Sequence, residues 1–180
     1  MKRALVPAAL AAILATAACT GSSRSAASEP TSSASAGPAY CSSVPLGQSF
    51  CEAVEVAAPK ATLRLAVANT AGLRERGLMG VRTIPPNEGM IFAYPDAANV
   101  PRQFWMKDTL VPLDMIFVTS GGVVTEIAEN VPASKPGEAE SRIAKREGTG
   151  RYVIELRAGG AQAAGVEPGS RLIVPPIAAE

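Results

Sequence analysis

The residues able to do chemistry crowd into one third of the sequence, between Arg74 and Asp114. Arg76 and Lys107 can hold an anion, the arginine through both of its terminal nitrogens. Trp105, the only tryptophan, offers a flat apolar wall with one N–H. Glu88, Asp108 and Asp114 can accept from ligand hydroxyls or face a cation. An apolar wall with a few converging polar groups is the ordinary design of a small-ligand site. The same three carboxylates allow a second reading, a hydrolase in which an apolar surround raises one of them to a general acid. Such a pair has to stand roughly 5 to 9.5 Å apart in a glycosidase-like site. A third reading uses Met79, Met90, Met106 and Met115 with Trp105 as soft ligands for copper.

Each reading has a bland counterpart. Arg76 can pair with Glu75, Glu88 or Asp114 merely to hold a turn. Met90 and Met115 lie inside apolar runs and are expected in the core, where methionine fills irregular gaps. On a strand, Phe104 and Met106 point away from Trp105, so part of that stretch must be packing. Composition removes other chemistries. The chain of 180 residues has no histidine, which excludes Ser-His-Asp and Cys-His nucleophile systems and His-ligated zinc. No G-x-S-x-G elbow occurs. A formal charge of +1 leaves no broad basic face for nucleic acid, and no cofactor motif is present. An enzyme is therefore the less favoured class, and the expected partner is a small ligand or an envelope protein.

The elements that must position these residues read mostly as strands. Leu63, Leu65 and Val67 alternate on one face of a strand. Thr70 is a suitable N-cap for a short helix reaching Leu78, with Gly80 to end it. Residues 89–94 and 104–106 are strand-like. Residues 114–118 and 123–128 flank the turn Thr119-Ser120-Gly121-Gly122 as a hairpin. Residues 132–150 are polar and read as a long surface loop. A strand follows at 151–156, one or two helical turns at 160–166, and a last strand at 171–174. About seven short strands with few helices predict an all-β fold with one or two short helices, a compact sandwich, jelly roll or small barrel.

In register, RERGLMG (74–80), EGMIF (88–92), FWMKDT (104–109), PLD (112–114) and YVIEL (152–156) resemble the DUF192 family, also called UPF0127. The resemblance covers roughly residues 60–175. It implies a compact β-rich domain, often exported behind a signal or lipid anchor, and no known reaction. Two positions depart from the family pattern: Asp108 stands where Asn is usual, and Ser170 where Asp is frequent.

The beginning of the chain reads as an address. Lys2 and Arg3 precede a short apolar run, small residues and Cys19, the pattern of a secretory signal over residues 1–18. A cysteine directly after the small residues resembles a lipobox, with Thr16 where Leu is usual, and Cys19 is the expected lipidation site. A plain secreted protein is the alternative. Residues 19–40 are almost wholly Ser, Ala, Thr, Gly and Pro and read as a disordered tether with a reach of roughly 25 Å. Cys41 and Cys51, in an oxidising compartment, are expected to form a disulfide closing the lead-in segment 41–58. The folded domain is expected over 59–177, anchored to the bacterial membrane and facing the periplasm or the exterior.

Overall fold

The computed structural model describes residues 52–180. Residues 1–51, with the leader, Cys19, the tether, Cys41 and Cys51, lie outside the described residues. The described chain is all-β with two short helices, as its turn-punctuated short strands predict. Strands β1 (Ala53–Ala57), β2 (Thr62–Ala68), β3 (Glu88–Ala93), β5 (Leu113–Val118), β6 (Val124–Val131) and β8 (Tyr152–Arg157) form one open sheet in the order β1-β2-β3-β8-β5-β6. Only β2 and β3 run parallel, joined through helix α1 (Ala71–Arg76). Strands β4 (Val100–Trp105) and β7 (Lys145–Gly150) make a separate antiparallel pair. Helix α2 (Gly160–Ala163) follows β8.

Both faces of the large sheet are covered, so its central strands are buried on both sides. On one face Met90 and Phe92 of β3, Val153 of β8 and Met115 and Phe117 of β5 pack beneath Leu73, Leu78, Phe104 and Met106. Phe104 of the small sheet meets Phe92 edge-on at 4.8 Å and Phe117 at 6.2 Å between ring centres, a geometry the ring quadrupoles favour. On the other face Leu63, Leu65, Val67, Ile91, Ile116 and Ile154 pack beneath Ala161, Ala164, Val166, Leu172 and Ile177.

Three stretches differ from their sequence reading. Residues 53–57, expected in the lead-in, form the edge strand β1. The polar stretch 132–150 is not all loop: Lys145–Gly150 is β7, which has no apolar alternation and takes its place by pairing with β4 in register from Val100↔Gly150 to Trp105↔Lys145. Residues 171–174 make no strand ladder, only the isolated bridges Ala57↔Ile173 and Val123↔Arg171.

Gly89, in the middle of EGMIF, is fixed by close approach of two backbones. A Cβ there would press on the Glu155 carbonyl and lie 2.7 Å from Leu156 Cδ2. The variant Gly89→Ala is expected to lose about 2–3 kcal/mol, read as a fall in the urea midpoint. An unchanged midpoint would mean that β3 and β8 can part without cost.

Candidate functional site

Helix α1 builds one wall of the site. Thr70 caps it, its hydroxyl accepting from the Leu73 N–H at 3.3 Å. Gly77 ends it at φ 47°, ψ −137°, a conformation that glycine adopts without a Cβ clash. The chain therefore turns away one residue after Arg76. The opposite wall comes from the end of β4, where Trp105 is half-buried against the core and Lys107 is exposed. The Lys107 ammonium lies 5.0 Å from the Trp105 ring centre, within cation–π range. The Gly80 N–H donates to the Asp108 carbonyl at 2.8 Å, tying the turn after α1 to the turn after β4.

Between these walls is a hollow lined by Arg74, Arg76, Trp105, Lys107, Thr109 and Glu155, with Gly77, Leu78, Met79, Phe92 and Phe104 supplying apolar surface and Glu75 at the same site. Its free volume is about 30 Å³, room for roughly two water molecules. That suits the head of a ligand, not a whole molecule of drug size. Two roomier hollows, of about 270 and 250 Å³, are more open to solvent. The first has Arg171 as its cation, already donating to the Gly121 carbonyl at 2.8 Å. The second has Glu126 and Glu147 and no cation. Neither brings opposite chemistries together as the small one does.

Arg74 is engaged in structure. It donates to the carbonyls of Ala93 at 2.9 Å and Glu180 at 2.6 Å, and its guanidinium lies 5.0 Å from the Tyr94 ring centre. Arg102 covers the same ring at 3.6 Å and pairs with Asp96 at 2.6 Å. Burial pushes the Tyr94 phenol above its usual range, although both arginines pull it down.

The hollow also contains a group the sequence reading did not single out. Glu155 is buried on central strand β8, in register with Met90 on one side and Met115 on the other. Burial alone pushes its carboxyl from the usual 4.5 up to about 8, so it is held as a neutral acid at pH 7. The sequence holds only a partial signal for it. In YVIEL the acid sits among aliphatic and aromatic residues, the composition of a strand buried on both faces, although Arg157 ends β8 exposed.

Of the six residues chosen from the sequence as ligand contacts, Arg76, Trp105 and Lys107 share this hollow. Glu88, Asp108 and Asp114 do not line it. Glu88 opens β3, paired in register with Arg64. Asp108 occupies a turn at φ 50°. Among non-glycine residues, Asn and Asp best tolerate that left-handed conformation, so the backbone accounts for an Asn-to-Asp exchange there. Asp114 is buried beneath the opposite face of the sheet, where Oδ1 accepts from the Asn130 N–H at 2.9 Å and Oδ2 from the Ala161 N–H at 3.0 Å. The three carboxylates thus do not meet as an acid/base pair at this site. Met90, Met106 and Met115 are packed in the core, and Met79 is the methionine that reaches the hollow. Among the described residues, no three His, Cys, Asp or Glu side chains group to hold a metal ion.

Residues 53–174 match the model of the DUF192 family, described as "Uncharacterized ACR". No curated protein matches the chain. A solved structure from Sinorhizobium meliloti, provisionally titled a transcription regulator, is 34% identical, with 67% of this chain and 92% of that one covered and a TM-score of 0.57. A protein of unknown function from Novosphingobium aromaticivorans is 28% identical, covering 78% of this chain and 95% of its own, also with a TM-score of 0.57. The chain belongs to the DUF192 family.

Proposed function

We propose that this DUF192 protein is an exported, lipid-anchored envelope protein whose domain captures the anionic head of a small ligand. The observation that carries the binding reading is the convergence of Arg76, Lys107 and Trp105 on one small hollow. Two cations and a flat ring lining one hollow favour a negatively charged planar group, and a partly dry site strengthens each contact relative to water. The rest of the ligand lies outside, across the half-open mouth. Support for the anchor comes from the leader, from Cys19 and from the polar stretch that separates Cys19 from the folded domain. The pair Cys41 and Cys51 suits a disulfide in the oxidising compartment to which that leader points.

Two experiments test this reading. Since Trp105 is the only tryptophan, its fluorescence reports on the hollow without interference. Sodium acetate, added at constant ionic strength and pH 6.5, is expected to shift the emission saturably. Lys107→Ala and Arg76→Ala are each expected to weaken that response at least tenfold, about 1.4 kcal/mol. A response linear in added salt, or unaltered in both variants, would refute the binding reading. Detergent partitioning of the full chain against Cys19→Ser tests the anchor, and equal partitioning would refute it.

A further inference from the structure

We propose that Glu155 sets the ligand class: in its neutral form it donates a hydrogen bond to one oxygen of a ligand carboxylate while Arg76 and Lys107 face the other. This inference rests on the anion-binding reading above and deepens it.

The geometry limits what can enter. Glu155 reaches the hollow from the middle of the large sheet, between Met90 and Met115, while the cations come from α1 and from the turn after β4. A ligand head in about 30 Å³ therefore meets positive charge on the side of the walls and a carboxyl on the side of the sheet. A charged carboxylate on that side would repel the very anion that the walls attract. A protonated one supplies an O–H donor, and hydrogen bonds from such a donor to an anionic oxygen are short and strong. Burial from water favours the protonated form. The volume and the flat Trp105 wall suit a planar carboxylate better than a tetrahedral, doubly charged phosphate. A halide has no second acceptor atom to divide between Glu155 and the cations.

The pH dependence follows from the groups around the hollow. Arg74, Glu75 and Arg76 face it from α1 and Lys107 from the turn after β4, with Tyr94 at the end of β3 beside Arg74. Burial pushes the Tyr94 phenol upward, away from neutral pH. Glu155, near 8, is the group whose ionisation falls between pH 7 and 9.

The test is acetate binding by Trp105 fluorescence from pH 6 to 9, with inorganic phosphate and chloride alongside, on the wild type, Glu155→Gln and Glu155→Leu. In the wild type the acetate affinity is expected to be level from pH 6 to 7 and about tenfold weaker at pH 9, since a bound anion requires the protonated carboxyl. Glu155→Gln, a neutral donor at every pH, is expected to bind within about threefold of the wild type at pH 7 and to lose the fall towards pH 9. Glu155→Leu is expected to bind at least tenfold more weakly at pH 7. Should it fail to fold, the glutamine variant still decides. An acetate affinity that is level to pH 9 in the wild type, or that falls equally in Glu155→Gln, overturns the role of Glu155 alone. Tighter binding of phosphate or chloride overturns the choice of a carboxylate. Absence of binding by any of the anions at any pH overturns both this inference and the reading on which it rests.

Discussion

Replacing Glu155 by glutamine is expected to flatten the dependence of stability on pH. In the folded protein this carboxyl titrates near 8, against 4.5 when it is free in water. Between those values the folded state holds a proton that the unfolded state has released, so stability falls as pH rises across the interval. It is level below pH 4.5 and level again above about 8. The whole fall amounts to roughly 5 kcal/mol for a group this well buried, a large part of the stability of a domain this size. Because the chain contains no histidine, no other side chain with an ordinary pKa titrates between pH 5 and 8. A slope measured there belongs to Glu155. Urea unfolding at pH 5, 6.5 and 8 should give midpoints that decline for the wild type and hold level for Glu155→Gln. Parallel declines in both proteins would mean that the carboxyl is not desolvated as its surroundings imply.

A cost of roughly 3 kcal/mol at pH 7, borne by one side chain in a well-packed sheet, is what separates a functional group from packing. Met90 and Met115 flank Glu155 in register and are buried without any polar demand. A third apolar residue at 155 would be more stable there. Departures from the local rule for a buried strand gather at functional sites, and this one lies in the hollow where Arg76, Lys107 and Trp105 meet.

The fold was legible where one physical signal dominated. Leu63, Leu65 and Val67 alternate because β2 buries that side beneath the α2 region, and the 114–118/123–128 hairpin follows from its glycine-rich turn. By contrast β7, KREGTG, has no periodicity to read, because it belongs to a two-stranded sheet and is placed by its partner β4. The site divides along similar lines. Arg76, Trp105 and Lys107 stand out by residue type alone. Glu155 does not, because it shares alternate positions with Arg151 and Arg157, the pattern that ordinarily marks the wet face of a strand. Only the layer that covers the sheet turns that position into interior. Asp108 and Asp114 stand out for the same reason as Arg76, yet a left-handed turn explains one and two backbone donors explain the other.

The second large effect is expected at Asp114. The register of β5 against β6 shifts between Leu113↔Val131 and Met115↔Ala128, and the extra chain passes through Asn130 at φ 48°. Its N–H has no ladder partner there and is taken by Asp114 Oδ1, while Oδ2 holds the N–H of Ala161 at the start of α2. Alanine at 114 removes both acceptors and leaves the buried Ala161 N–H and the part-buried Asn130 N–H without them. The buried donor costs about 1–3 kcal/mol when orphaned and the wetter one less, so Asp114→Ala is expected to lose roughly 2–4 kcal/mol of stability. Asp114→Asn keeps one acceptor oxygen and should lose about half as much. Both variants should retain the acetate affinity of the wild type under conditions where they are folded, because Asp114 and the hollow lie on opposite faces of the sheet. Urea midpoints and Trp105 titrations on the same samples separate the two roles. A variant at 114 that keeps its midpoint while losing acetate binding would return Asp114 to the ligand, and would require the carboxylate to leave the backbone groups it now holds.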